Sequence, residues 1–304
     1  MKKINLGTSQ VEVSNIALGC MRMNHLSDEK AQAVIKTAFE AGINFFDHAD
    51  IYGQGESESI FGRAIKALNI PRESIIIQSK CGIDQENGTY NFSKAHILNS
   101  VDKILKRLQT DYLDVLVLHR PDSLFDPIEV NEAFHILYES KKVRHFGVSN
   151  QSPAQMKLLQ KYCDFDLLVN QVQFSLMHTG MIDAGFNVNM EKTYPGEGII
   201  EYARLQQQTL QAWSPFYSGF FEDIFLDNDK FPEVNAAIDT LAKKYDVSNE
   251  AIAIAWILRH PVNFQVLIGS MNPDRIKRIV QANNITLSHK EWYDLYKAAG
   301  NRLP

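Results

Sequence analysis

In Ile43-Asn44-Phe45-Phe46-Asp47-His48-Ala49-Asp50-Ile51-Tyr52-Gly53 an apolar run meets a carboxylate, and a phenol follows five positions later. Ile43 to Phe46 read as the end of a buried strand, and Gly53 opens a loop. A carboxylate at such a strand end needs a cation or hydrogen-bond donors to stay charged without a large desolvation cost. A tyrosine in the loop above it is placed to present its hydroxyl to a pocket. An isolated pair of this kind is ordinarily a plain strand end with a packed ring; the other strand ends change that.

Working outward, the same unit recurs along the chain. Ile16-Ala17-Leu18-Gly19 precedes a helical pattern from Asp28 to Ala41, closed by Gly42. After Gly53 a helix is expected from about Glu56 to Leu68. Ile75-Ile76-Ile77 runs to Lys80 before helical residues from Lys94 to Leu108, and Leu113 to Leu118 ends at His119 before a helix from Pro127 to Ser140. Val143 to Val148 ends at Ser149-Asn150, followed by Pro153 to Tyr162. Leu167-Leu168-Val169 reaches Gln171, with a helix from Gly198 to Gln206; Thr209 to Trp213 and Phe264 to Ile268 are strands seven and eight. Each short apolar run followed by a helical period is a βα unit.

Eight such units, with strands too apolar to keep one face wet, predict an α/β fold: a closed parallel (β/α)8 TIM barrel. A doubly wound dinucleotide fold would want Gly-x-Gly-x-x-Gly straight after its first strand. Leu18-Gly19-Cys20-Met21-Arg22-Met23 lacks that pattern, and Gly53-Gln54-Gly55-Glu56-Ser57-Glu58 lacks the third glycine. The polar opening of the chain can form a short hairpin. No internal repeat or low-complexity tract marks a boundary, so residues 1–304 are expected to form one domain. Long loops are expected after strand six (Phe174 to Glu197) and strand seven (Gly219 to Pro232), on the face where barrel sites lie.

Composition narrows the function. The 304 residues are 45% hydrophobic and 22% charged, ordinary for a soluble globular protein. A formal net charge of -5 gives no basic field, so nucleic acid is not an expected partner. Met1-Lys2-Lys3 resembles a signal n-region, but Ile4-Asn5-Leu6-Gly7-Thr8 supplies no apolar core, and no apolar run reaches membrane-spanning length. Cys20, Cys81 and Cys163 are odd in number and widely spread, which points to a reduced, cytoplasmic protein. The sequons at Asn87 and Asn91 then carry no meaning. Asp227-Asn228-Asp229 lacks the glycine and closing glutamate of a calcium loop, and no metal site is assigned.

In a parallel barrel the strand C-termini share one face, so Asp47, Tyr52, Lys80, His119, Ser149, Asn150, Gln171, Trp213, Ser214, Gly269 and Ser270 converge there. Their order and types resemble the aldo-keto reductase family over essentially the whole chain, Leu6 to about Leu303. The motifs that carry the resemblance are Asp47-x4-Tyr52-Gly53, Ser79-Lys80, Leu118-His119-x-Pro121, Gly147-Val148-Ser149-Asn150, Asn170-Gln171 and Trp213-Ser214-Pro215. His48-Ala49-Asp50-Ile51-Tyr52-Gly53 and His119-Arg120-Pro121-Asp122 resemble a bacterial branch.

The resemblance implies reduction of an aldehyde or ketone by a monomer using NADPH, with NADH left open as coenzyme. Tyr52 would be the general acid. A free tyrosine, with pKa near 10, is a poor donor at neutral pH, and an adjacent Lys80 is expected to lower it. Asp47 would hold Lys80 charged, and His119 would hydrogen-bond beside the carbonyl oxygen. Taken singly, Lys80 reads as a surface lysine and His119 as a satisfied core histidine. Lys80 also admits a Schiff-base lyase, and the fold admits a redox-sensing subunit without useful turnover. By resemblance Ser149, Asn150 and Gln171 bind the nicotinamide carboxamide and Trp213 stacks on its ring. Ser214, Pro215 and the loop through Gly219 line the pyrophosphate, and Cys20 and Met21 lie beside the cofactor. Ser270 and Arg275 take the 2'-phosphate, with the first-turn amides of the helix there able to receive a phosphate. Gly269 stands where many members carry lysine, so Lys277 or Arg278 can compensate. Met21 and Arg120 stand where many members carry tryptophan. Arg120 is suited either to a substrate carboxylate or phosphate or to a structural pair with Asp122 or Asp114.

Overall fold

A computed structural model describes residues 1–186, 196, 198–220 and 222–303. Its strands are β1 (Lys3–Asn5), β2 (Glu12–Ser14), β3 (Ile16–Gly19), β4 (Phe45–Asp47), β5 (Ile76–Cys81), β6 (Ile83–Asp84), β7 (Thr89–Tyr90), β8 (Leu113–Leu118), β9 (Val143–Ser149), β10 (Leu167–Gln173), β11 (Thr209–Trp213) and β12 (Phe264–Ile268). Strands β3, β4, β5, β8, β9, β10, β11 and β12 pair in parallel and close into a barrel, the eight strands expected from the sequence. The helices are α1 (Asp28–Glu40), α2 (Glu56–Ala67), α3 (Lys94–Leu108), α4 (Pro127–Glu139), α5 (Pro153–Tyr162), α6 (Gly180–Phe186), α7 (Ile199–Leu205), α8 (Pro232–Tyr245), α9 (Asn249–Leu258), α10 (Pro273–Ile279) and α11 (His289–Ala298). Their starts follow local chemistry: Ser27, Ser93 and Ser248 cap backbone N–H groups, and Ser152 and Ser288 form capping boxes with Gln155 and Glu291.

Strand parity decides which side chains reach the interior. In β8, Val115 and Val117 belong to the cluster inside the barrel, whereas Leu116 and Leu118 pack outward under the helices. In β4, Phe45 points inward and Phe46 outward, so Asp47 is delivered inward. Gly147 in β9 is required by close packing, because a Cβ there would lie 2.4 Å from Val169 Cγ2. The N-terminal hairpin β1–β2 forms as expected, and Leu6 and Val13 join the interior cluster.

Two features differ from the sequence reading. The stretch expected as a loop from Phe174 to Glu197 contains α6; residues 187–195 and 197 lie outside the described residues. A small antiparallel pair, β6 with β7, follows β5 and sends Tyr90 to the rim of the cavity described below. No helix among the described residues is long and apolar enough to cross a membrane.

Candidate active site

The inward parity of β4 and β5 places Asp47 and Lys80 side by side. Lys80 is fully buried, and its Nζ donates to Asp47 Oδ2 at 2.7 Å, to the His48 carbonyl at 2.7 Å and to Tyr52 Oη at 3.2 Å. Three donors on an ammonium meet three acceptors, so the charge is fully hydrogen-bonded. Burial alone would lower the Lys80 pKa, but Asp47 and then Tyr52 outweigh it and hold it above the ordinary lysine value. A Schiff-base nucleophile has to be a free amine open to substrate. Lys80 is a charged amine enclosed behind Asp47 and Tyr52, and the lyase reading fails on that geometry.

The tyrosine corrects one expectation. Burial pushes the Tyr52 phenol above its usual range, and the Lys80 charge opposes that shift without reversing it. Asp47, which neutralises Lys80, adds to the upward push. Tyr52 therefore stands as a protonated phenol at neutral pH, the form from which a proton can be given. His119 lies edge-on to Tyr52 with ring centroids 6.1 Å apart. Burial first, then the charges of Lys80 and Arg120, hold the His119 imidazole well below its usual pKa, so it is neutral. Its Nδ1 is buried without a hydrogen-bond partner.

Tyr52 and His119 open onto a cavity of about 650 Å³ at the C-terminal end of the barrel. Met21, Ser149, Asn150, Gln171, Trp213, Ser214, Pro215, Gly269, Ser270 and Arg275 also line it. Asn150 and Ser214 both adopt positive φ, 58° and 52°, at the ends of β9 and β11. That turn lets the Asn150 amide link three strand ends: Oδ1 accepts from Trp213 Nε1 at 3.2 Å, and Nδ2 donates to Ser149 Oγ and the His119 carbonyl. Gln171 lines the cavity too, and its Nε2 now donates inward to Asp47 Oδ1 at 3.0 Å and to Gln211 Oε1 at 3.1 Å.

Cys20 and Gly219 are not on the cavity wall. Cys20 is wholly buried with its Sγ directed at the Leu18 carbonyl, and Gly219 packs where a Cβ would collide with the Glu222 carboxylate. The first-turn amides expected to receive a phosphate are also engaged: Asn272 Oδ1 accepts from the N–H groups of Asp274 and Arg275. Arg275 stays at the cavity edge, its Nε 3.3 Å from Glu250 Oε1 and its guanidinium over Phe216. Arg278 shares Glu250, and Lys277 pairs with Asp274 on the surface.

Sequence reasoning missed a buried amide network beneath the site. Gln78 Nε2 donates to Asp47 Oδ1 at 2.6 Å and to Gln211 Oε1 at 2.8 Å. Gln211 Nε2 donates back to Gln78 Oε1 and on to Gln265 Oε1, and Gln265 Nε2 ends on the Ser14 carbonyl at 2.7 Å. The signal was available: each glutamine interrupts an apolar strand at an inward position. Arg22 was missed as well. Its Nη1 donates to the Gly269 carbonyl and its Nη2 to Tyr217 Oη, tying the loop after β3 to those after β11 and β12.

Beside the site, Asp50 carries a buried Oδ1 without a partner, and burial followed by repulsion from Glu58 raises its pKa to about 7. The native state thus keeps a proton that the unfolded chain releases near 4. Stability contributed by the protonated form is present below about pH 4 and falls as pH rises towards about 7. The loss is at most about 4 kcal/mol. Asp50→Asn should abolish that decline, so that the urea midpoint of the variant exceeds wild type at about pH 8 and approaches it near pH 4. A wild-type advantage at the higher pH would disprove the shift.

The cavity suits a nicotinamide dinucleotide by its donor set. Ser149, Asn150 and Gln171 provide both donors and acceptors for a carboxamide, Trp213 offers a flat ring, and the Arg22 and Arg275 side chains bring positive charge to the wall, although each is now held by a protein partner. The model of the Aldo/keto reductase family matches residues 4–299. The chain is 34% identical to "Uncharacterized oxidoreductase YcsN" of Bacillus subtilis over 98% of each chain. It is 33% identical to "Oxidoreductase YdhF" of Escherichia coli over 98% of each. It is also 32% identical to a "6-dehydroglucose reductase" of Agrobacterium fabrum over 98% of each. In fold it is similar to a thermostable aldo-keto reductase crystallised with the inhibitor epalrestat, with TM-score 0.83 and 23% identity, covering 98% of this chain and all of that one. By sequence over nearly its whole length, this chain belongs to the aldo/keto reductase family.

Proposed function

We propose that this protein reduces aldehydes or ketones to alcohols with NADPH, using Tyr52 as the proton donor. The observation that carries the proposal is the buried Lys80 ammonium between Asp47, at 2.7 Å, and Tyr52 Oη, at 3.2 Å, behind a cavity that His119 also lines. A reduced nicotinamide, when bound, supplies the hydride for the carbonyl carbon. Tyr52 Oη gives its proton to the carbonyl oxygen as negative charge builds there. The Lys80 ammonium then stabilises the tyrosinate, and Asp47 keeps that ammonium charged and aimed. The neutral imidazole of His119 hydrogen-bonds the same oxygen. Ser149, Asn150 and Gln171 would hold the carboxamide by exchanging hydrogen bonds they now make among themselves and their neighbours. Trp213 would cover the ring, with Ser214, Pro215 and Met21 alongside. The three cysteines are free and buried, which suits the reducing cytoplasm as the working compartment.

The test is NADPH oxidation across a panel of aldehydes, read beside quenching of tryptophan fluorescence by NADPH. Saturable turnover supports the proposal. Quenching without turnover on any aldehyde would favour a cofactor-binding regulatory role, and no quenching at all would defeat the cofactor assignment.

Coenzyme choice is assigned to Arg275 and Ser270. A charge-assisted hydrogen bond to a 2'-phosphate contributes about 1.5–3 kcal/mol. Arg275→Ala should therefore weaken NADPH about 10- to 100-fold and leave NADH nearly unchanged. Arg278 would still satisfy Glu250, so the fold has no reason to give way. Equal losses for both coenzymes would remove Arg275 from that role.

A further inference from the structure

Arg120 follows His119 directly after β8 and lines the same cavity as Tyr52. Its guanidinium carbon lies 5.8 Å from the centroid of the Trp213 ring and 5.4 Å from that of Phe220. Among the described residues it forms no ion pair. The two carboxylates that sequence reading set against it are occupied elsewhere. Asp114 is paired with Arg72 at 2.7 Å and Arg144 at 3.2 Å, and also accepts from Ile77 N. Asp122 accepts from the N–H groups of Phe92 and Leu124.

The other charges of the cavity are accounted for. Asp47 is its one lining carboxylate among the described residues, and Lys80 behind it balances that charge. Arg22 is held by two neutral acceptors and Arg275 by Glu250. Arg120 is left as a cation supported on two aromatic faces, with hydrogen-bond donors unspent, one residue from the histidine that faces the reacting oxygen. A guanidinium presents a planar fork that matches a carboxylate with two parallel hydrogen bonds. Its charge also bears on the neighbouring imidazole, helping to keep His119 neutral.

We infer that Arg120 is a subsite for a substrate carboxylate, so that the preferred substrates are aldehydes or ketones carrying an acid group. The inference rests on the reductase reading above and names its substrate class.

The test compares para-carboxybenzaldehyde with its methyl ester, and succinic semialdehyde with its methyl ester, as ratios of kcat/KM. The acid should be preferred about 10- to 100-fold in the wild type, the range of one charge-assisted contact. The preference should shrink as salt is added. Arg120→Leu should bring the ratio close to one, and Arg120→Lys should keep part of it, because it retains charge without the fork. A wild-type ratio near one for both pairs, or an unchanged ratio in Arg120→Leu, would overturn the inference while leaving the reductase reading intact. If no aldehyde is turned over, the reductase reading fails instead, and benzoate binding with cofactor present decides the subsite. Quenching of tryptophan fluorescence by benzoate in wild type and its loss in Arg120→Leu would support it; equal quenching in both, or none, would overturn it.

Discussion

Tyr52→Phe is expected to cost kcat about 100- to 10,000-fold, the range of a positioned general acid. The substitution removes one oxygen and leaves the ring, so the edge-on packing against His119 and the binding of NADPH should persist. Because the phenol sits above its usual pKa, the wild-type rate should fall only on the alkaline side as Tyr52 loses its proton. That limb should be absent from the residual activity of the variant. Near-normal turnover in Tyr52→Phe would refute the assignment of the acid.

Lys80→Met should reduce kcat by a similar factor for a different reason, and it should also unsettle the fold. Without the ammonium, the tyrosinate left after proton transfer has no nearby positive charge. Asp47, almost wholly buried at the floor of the cavity, would keep the Gln78 and Gln171 amides as its side-chain donors. Removing one partner of a buried ion pair commonly costs about 3–5 kcal/mol. Urea unfolding should show a loss of that order in Lys80→Met and almost none in Tyr52→Phe. The double variant should be little slower than either single one, since groups acting as one unit are not additive. Multiplying losses would mean that Tyr52 and Lys80 work separately.

Much of this site was legible because parallel strands turn sequence spacing into spatial convergence. Asp47, Lys80, His119, Ser149 and Gln171 each sit at or just beyond a strand end, and barrel closure collects them without any long-range clue. Orientation was harder to read than neighbourhood. Cys20 directly follows β3, yet its side chain bonds back to Leu18; Gly219 lies in the expected loop but packs against Glu222. The direction of the Tyr52 shift also escaped, because its sign weighs burial against Lys80 and sequence counts only the charge. The seven residues of α6 are too few to show a helical period, so Phe174 to Glu197 read as loop. Arg120 remained ambiguous until Asp114 and Asp122 were seen to be engaged elsewhere.

The glutamines inside the barrel have one permitted orientation. A carboxylate accepts only, and so does a backbone carbonyl, so the Asp47 end and the Ser14 end both demand N–H groups. Gln78 and Gln171 must turn their nitrogens to Asp47, Gln265 must turn its nitrogen to Ser14, and Gln211 is left to accept from one side and donate to the other. No amide can flip alone without setting oxygen against oxygen. The negative charge on Asp47 therefore polarises a chain of hydrogen-bonded amides that crosses the barrel interior from Asp47 to Ser14. Its far anchor is the last residue of the N-terminal hairpin, remote from any chemistry. The barrel thus has, in effect, a keyed shaft set into an otherwise oily centre: the amides that hold Asp47 are indexed to a single backbone carbonyl at Ser14.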